Sequence, residues 1–436
     1  LVDAQYVPRV LAKPDAKKKG SGPFQGIPRP GIALEDATRD RLSGGLGKLQ
    51  SAITALEARS KTDPKLAALL PDVIIFERAV RVALERGEFF APNEPEKATG
   101  LIQAGLARAE ALMAGEAPWT RQTGLVVRGY RSRLDDTVIP YGLVVPENYR
   151  PGGNDAFRLD LWFHGRNETL SEVNFLDERM KRPGEFTPSS TLVLHPYGRY
   201  CNAFKFAGEV DVLEALQDVR ARYRIDDNRV SVRGFSMGGA GAWHFAVHHT
   251  DRFFAANPGA GFAETARFSG LPRPGLAPPT WYQKQLWHLY DATDTALNLM
   301  NLPTIAYSGE IDRQKQAADV MAEALARDGI TLTHIIGPKT EHRYHPDSKV
   351  EVERRLASLA AFGRNPMPSE VWLSTYTLRY PRMHWVTIEG MGKHWEEAEV
   401  RARITGLAKI EITAVNVTAL TLEIPAGGVP FPVNAP

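Results

Sequence analysis

Apolar positions early in the chain recur at helical spacing. Leu42, Leu46, Leu49, Ile53 and Leu56 fall on one face of a 3.6-residue repeat, and Val73 to Leu84 carries a second stripe. Glu94 to Met113 carries a third, with Pro95 near its start and with Pro64 and Pro71 punctuating the segments before it. Residues 34–118 are therefore expected to form a helical N-terminal region. These helices carry no chemical motif, so the role they suggest is packing or shielding. Residues 1–33, rich in Pro, Gly and Lys, read as a flexible arm.

From Leu125 the period changes. Val126–Tyr130 and Tyr141–Val145 read as two strands around an Asp135-Asp136 turn. Short apolar runs then alternate with helical segments. Strands are expected at Leu159–Phe163, Thr191–His195, Val230–Val232, Phe253–Ala256, Thr304–Tyr307 and Thr331–Ile336. Helices are expected over Val210–Tyr223, from Met237, over Lys315–Arg327 and from about Val350 to Ala361. Buried strands alternating with helices predict an α/β fold over 119–365, a mostly parallel sheet flanked by helices. Residues 366–436 alternate like antiparallel strands, at Glu370–Tyr380, Met383–Glu389, Val400–Ile404, Leu407–Val415 and Ala419–Ile424, and predict a small β-rich C-terminal domain.

Composition narrows the function classes. The 436 residues exceed what one core usually holds, which supports this division. The 53 basic and 51 acidic residues nearly balance, leaving no electrostatic footprint for nucleic acid. No apolar run is long enough to span a membrane. Cys201 is the single cysteine, so no intrachain disulfide can form, and it reads as structural. There is no H-E-x-x-H, CxxC or P-loop pattern, so no metal or cofactor is expected. The chain starts at Leu1, which fits a processed protein and an expected secreted or periplasmic location. Composition says nothing of oligomeric state.

The chemistry concentrates in Gly234-Phe235-Ser236-Met237-Gly238-Gly239. A β-rich run precedes it and a helix-compatible run, Ala240–His248, follows. That order is what a nucleophile elbow requires: a serine on a tight strand-to-helix turn, its hydroxyl projecting from the sheet edge. Ser236 is the expected nucleophile. In this arrangement the acid and the base follow the serine in that order. Asp312, after the strand and Gly turn of Pro303–Ile311, is the expected acid. Glu310 is the runner-up, and Asp291 and Asp294 are weaker. His342 is the expected base, with His345 as its competitor, while His334 lies inside a strand and reads as core. Backbone N–H groups of Met237 and of Arg166, or Gly165 in its place, are the expected oxyanion donors. His164, in the His-Gly turn, and Tyr197, at the end of another strand, are expected to face substrate. Trp281, Trp287 and Tyr290, in an insertion before the acid-bearing strand, could stack on a sugar or phenyl ring or pack on the core. His244, His248 and His249 read as helix surface or core.

Over roughly 125–362 these motifs resemble the α/β-hydrolase superfamily. The branch is the one holding S9-like (prolyl-oligopeptidase-like) hydrolases and esterase-D-, feruloyl-esterase- and depolymerase-like enzymes. The resemblance rests on His164-Gly165, the 234–239 run, the Gly-Glu-x-Asp turn at 309–312 and the Glu341-His342 pair. It implies a serine hydrolase without metal or organic cofactor. The N-terminal region is too short and helical for a β-propeller, and the His-Gly turn continues into Arg-Asn; both departures resemble esterases more than the peptidases. The expected substrate is a small-molecule or polysaccharide ester, acetyl or feruloyl. The alternatives are an S9-like peptidase of short peptides, which would need a carboxylate anchor for a free amine, and a catalytically silent glycan- or partner-binding protein.

Overall fold

Helix ends near the start of the molecule are set by local chemistry. The computed structural model describes residues 28–406 and 409–424, and within them come α1 (Asp36–Ser60), α2 (Pro64–Leu69), α3 (Pro71–Arg86) and α4 (Glu94–Met113). The Asp63 carboxylate accepts from the backbone N–H groups of Lys65 and Leu66 and caps α2. Gly87, at φ 66°, closes α3 in the left-handed conformation. The stripe formed by Leu42, Leu49, Ile53 and Leu56 is buried, as its spacing predicts.

These helices do not build a core of their own. Their apolar faces merge with those of the sheet into one continuous cluster running from Leu42 to Leu325. A buried ion pair fixes the junction. The Asp72 carboxylate at the start of α3 accepts from Arg128 Nη2 at 2.7 Å, from the Trp119 indole at 2.9 Å and from the Gly129 N–H at 2.9 Å. Burial raises the Asp72 pKa, but the Arg128 guanidinium outweighs it and holds the carboxyl below the usual range. The end of the expected arm is also seated: Ile32 N–H donates to the Phe89 carbonyl at 2.7 Å. Residues 1–27 of that arm lie outside the described residues.

The strands of the main sheet are β1 (Gly124–Arg131), β2 (Val138–Val145), β3 (Phe157–Phe163), β4 (Thr191–Pro196), β5 (Ile225–Phe235), β6 (Ala255–Gly259), β7 (Ile305–Gly309) and β8 (Thr333–Gly337). They form one eight-stranded sheet in the order β1-β2-β4-β3-β5-β6-β7-β8. β2 runs antiparallel to both of its neighbours, and β4 through β8 are parallel. The connecting helices are α5 (Glu172–Lys181), α6 (Ala207–Arg222), α7 (Met237–His248), the short α8 (Thr265–Ser269) and α9 (Trp281–Trp287), α10 (Gln316–Ala326) and α11 (Pro346–Phe362). α5 has no counterpart among the sequence expectations. Its apolar residues Val173, Phe175 and Leu176 are too few to make a long stripe, and Ser171 caps it by accepting from Asn174 N–H. Parallel strands deliver the loops after β3, β5, β7 and β8 to one edge of the sheet.

The C-terminal strands are β9 (Glu370–Thr375), β10 (Arg382–Met383), β11 (Val386–Met391), β12 (Ala398–Ile404), β13 (Ile410–Val415) and β14 (Val417–Leu422). They pair as two three-stranded antiparallel sheets, β10-β11-β14 and β13-β12-β9. Their core, which includes Val371, Leu373, Trp385 and Val400, is separate. Polar contacts tie it to the α/β unit: the Asn298 amide bonds both the carbonyl and the N–H of Ser374, at 3.0 and 2.7 Å. Residues 407 and 408, at the start of one expected strand, lie outside the described residues.

Candidate active site

Ser236 occupies the junction of β5 and α7 at φ 59° and ψ −122°, a conformation that costs a non-glycine residue on the order of 1–3 kcal/mol. The surroundings impose it. Ser236 N–H donates to the Gly259 carbonyl on β6 at 2.9 Å. The turn is also too crowded for side chains beside it. A Cβ on Gly238 would lie 2.0 Å from the Phe163 carbonyl oxygen, and one on Gly239 would lie 2.1 Å from the Gly259 oxygen. Two glycines therefore let the first turn of α7 press against the ends of β3 and β6, and Ser236 is lifted out of the helix axis. Met237 is buried as the first residue of α7, at the positive end of the helix dipole.

Asp312 and His342 meet across neighbouring strand ends. Asp312 follows β7, is buried, and faces His342 after β8 with Oδ2 2.8 Å from Nδ1. Its Oδ1 accepts the Gln314 N–H at 2.8 Å, so the carboxylate is held on both oxygens. The imidazole of His342 packs tilted on the ring of Phe235, centroids 4.8 Å apart, next to Ser236 in sequence. The competing residues go elsewhere. Glu310 accepts from Lys339 N–H at 2.6 Å and braces the turn after β8. Asp291 bonds Thr265, and Asp294 bonds His288 Nδ1 at 2.6 Å. His345 gives its backbone N–H to the Tyr307 hydroxyl at 2.7 Å, and its Nδ1 is buried without a hydrogen-bond partner. His334 Nε2 contacts the Ser308 hydroxyl within the β7–β8 pair.

The His-Gly turn reaches the serine from β3. A Cβ on Gly165 would sit 3.8 Å from that of Ser236. His164 lines the cavity beside His342, but both of its ring nitrogens are already engaged. Its Nδ1 lies 2.9 Å from the Gly165 carbonyl and its Nε2 3.0 Å from the Tyr197 carbonyl, so the ring staples the turn to the end of β4. Burial lowers its pKa. Tyr197 is likewise spent internally: it is buried, and its hydroxyl donates to the Leu170 carbonyl at 3.1 Å. The Arg166 side chain pairs with Glu168.

A cavity of about 660 Å³ opens beside this cluster, with Gly165, Phe235 and His342 in its wall. Trp162, Phe175 and Tyr344 supply apolar surface, and α5 supplies Glu178 and Arg179. Trp281, Trp287 and Tyr290 are not in its wall. Trp281 is 73% exposed on α9, and Tyr290 packs on Phe206 with ring centroids 5.7 Å apart. The insertion thus leaves its aromatics away from this cavity. α5 contributes instead, and no chemical motif in its sequence points to that.

The loop from Gly198 to Phe206 is a second feature that sequence reading misses. Arg199, Tyr200, Ala203, Phe204 and Phe206 all have positive φ. Arg199 holds it, bonding Asp211 at 2.8 Å and Ser132 at 3.0 Å and pairing with Asp135. The strained path brings the Phe204 ring into a stack on Phe163, centroids 4.4 Å apart, and edge-on to His164. Cys201 in this loop is half-buried, with Sγ 3.4 Å from the Asn167 carbonyl.

A parallel sheet with one antiparallel second strand, carrying a serine on a strained strand-to-helix turn, defines the class: the chain is a serine hydrolase of the α/β-hydrolase fold. Residues 207–365 match the prolyl oligopeptidase family, a stretch from the start of α6 to just past α11. No curated protein matches the sequence. Among solved structures it is similar to the fluorophosphonate-binding serine hydrolase F of Staphylococcus aureus, at 17% identity and TM-score 0.41, covering 55% of this chain and 99% of that one. It is also similar to the S-formylglutathione hydrolase of Agrobacterium tumefaciens, at 17% identity and TM-score 0.40, covering 54% of this chain and 94% of that one. The S-formylglutathione hydrolase of Staphylococcus aureus gives 16% identity and TM-score 0.39, with 55% and 99% covered.

Proposed function

We propose that the protein hydrolyses carboxylic esters through an acyl-enzyme, with Ser236 as nucleophile, His342 as base and acid, and Asp312 as the residue that orients His342. The observation that carries this reading is the Asp312–His342 hydrogen bond beside the elbow of Ser236. With Nδ1 held by Asp312, Nε2 is the nitrogen that takes the Ser236 proton as Oγ attacks the ester carbonyl. The Met237 N–H and an N–H of the 165–166 turn stabilise the oxyanion. His342 then protonates the departing alcohol, and water releases the acid by the same steps.

Placement of the carboxylates favours an ester over a peptide with a free amine. Glu209 is buried against His244, His249 and Tyr380. Asp211 is bound by Arg199, and Glu264 lines another cavity with Arg267. None of the three is in the wall beside His342, and the two carboxylates that are, Glu178 and Glu185, are already paired with Arg179 and Lys349. Aromatic surface from Trp162, Phe175, Phe235 and Tyr344 suits a carbohydrate-linked acetyl or feruloyl ester. The test is turnover of p-nitrophenyl acetate, acetylated xylan, methyl ferulate and aminoacyl-nitroanilides by the wild type and by Ser236→Ala. Ester cleavage and fluorophosphonate labelling, both lost in the variant, are expected. Cleavage of the anilides alone overturns the ester reading, and absence of both turnover and labelling overturns the hydrolase reading.

A further inference from the structure

We infer that the ester taken by this site carries a carboxylate or an equivalent anion, received by Arg182 and Arg343 at the rim of the cavity beside His342. The inference rests on the hydrolase reading and adds a substrate class to it. The charges around the cavity carry it. Its walls include the cations Arg179, Arg182 and Arg343 and the carboxylates Glu178 and Glu185. Both carboxylates already have partners: Glu178 pairs with Arg179, and Glu185 binds Lys349 Nζ at 2.7 Å. Among the described residues, Arg182 and Arg343 pair with no carboxylate. The cavity therefore keeps two uncompensated guanidiniums, and Arg343 is the residue next to His342.

The inner wall is built to keep its own charge in place. Arg179 is 8% exposed, and its Nη1 donates to His195 Nδ1 at 3.2 Å. The other nitrogen, Nε2, donates to the Pro183 carbonyl at 3.1 Å. These two bonds fix His195 as the neutral Nε2–H tautomer, so it adds no charge. Pro183 and Gly184 follow Arg182 directly. A Cβ on Gly184 would lie 2.6 Å from His195 Cε1, so the loop that presents Arg182 is seated on that ring. Two planar guanidiniums over an apolar pocket suit a carboxylate attached to a ring or short chain.

The anion can sit on the acyl part or on the alcohol part, and matched esters separate the two. p-Nitrophenyl hemiglutarate is compared with p-nitrophenyl valerate, and acetylated glucuronic acid with acetylated glucose. The expected result is a kcat/KM preference of about ten-fold or more for the anionic member of at least one pair, shrinking as salt is raised. Arg182→Ala with Arg343→Ala removes that preference while leaving the neutral ester within about three-fold, and Arg→Lys at both sites restores part of it. Both residues are exposed, so the variants fold. Equal use of charged and neutral esters by a wild type that labels with fluorophosphonate overturns this inference and leaves the hydrolase reading intact. The same holds if the double variant loses both members of a pair alike. If the wild type neither labels nor turns over any ester, the hydrolase reading falls and this inference falls with it.

Discussion

Gly238→Ala isolates the packing that shapes the elbow. The new Cβ would stand 2.0 Å from the Phe163 oxygen and 2.8 Å from the His164 oxygen, both backbone atoms. A comfortable carbon–oxygen contact is about 3.3 Å, so β3 and α7 must part by about 1.3 Å. Residues 164–166 hang directly on that end of β3, and Met237 starts α7. The two backbone donors assigned to the oxyanion therefore separate by an amount that catalysis does not tolerate. A misplacement of about 1 Å costs on the order of a hundred-fold, as does loss of one oxyanion donor. Strain of this kind also lowers stability by about 2 kcal/mol. The assay is kcat/KM on p-nitrophenyl acetate together with thermal unfolding. Gly100→Ala is the control: it lies within α4 with nothing within 4 Å of its Cβ position, and it should stabilise by about 0.5–1 kcal/mol without touching activity. A Gly238→Ala enzyme that folds and works within about three-fold of the wild type refutes the reasoning.

Three further outcomes follow from the same contacts. His342→Ala should cut kcat by about 10³-fold or more, whereas His345→Ala should leave most activity; the reverse pattern assigns the base to His345. Asp72→Asn leaves Arg128, 2% exposed, as an unpaired buried cation and should destabilise by about 3–5 kcal/mol in denaturant unfolding. The Asp72→Leu/Arg128→Met pair should recover much of that loss, and a double variant as weak as the single one contradicts this account. Burial pushes the His244 pKa down to about 4, even though Glu209 accepts from it, and lowers His248 well below its ordinary value. In acid the unfolded chain takes up these protons first, so stability is full above about pH 6.5 and falls toward pH 4 by about 1.4 kcal/mol per unit for each such histidine. Glu209, His249, Lys205, Arg379 and Tyr380 surround the pair, and the Glu209 carboxyl, held low by His244 and His249 against the effect of burial, acts in the same direction. His248→Phe keeps the stack on Tyr380, where the rings lie 3.9 Å apart, and removes two unpartnered buried nitrogens. It should shift the acid limb of the Tm curve to lower pH, and an unchanged limb would exclude His248 from it.

Local periodicity determined a good deal by itself. The stripes of α1, α3 and α4, the alternation that marks the sheet and the elbow around Ser236 depend on neighbours in sequence, and each was legible there. The glycines of the elbow were legible as a pattern, because a tight strand-to-helix turn admits little else. Partnerships across the sheet were of another kind. Glu310 and Asp312 stand two residues apart, and His342 and His345 three apart; only the paths of the loops after β7 and β8 bring Asp312 to His342 and turn Glu310 to the Lys339 N–H. The merging of the N-terminal helices with the sheet was hidden for the same reason, since Asp72 and Arg128 meet although they stand 56 positions apart in the chain. Aromatic content did not mark the wall of the cavity beside His342. Trp281 and Tyr290 carry the residue types of a binding wall, yet Trp281 stands in solvent on α9 and Tyr290, beyond its end, packs on Phe206, while α5, with an inconspicuous sequence, lines the cavity. Sequence thus supplied the candidate residue types and their order along the chain. Which of them face one another was decided by tertiary structure, because a side chain's chemistry depends on what burial and distant strands place within a few ångströms of it.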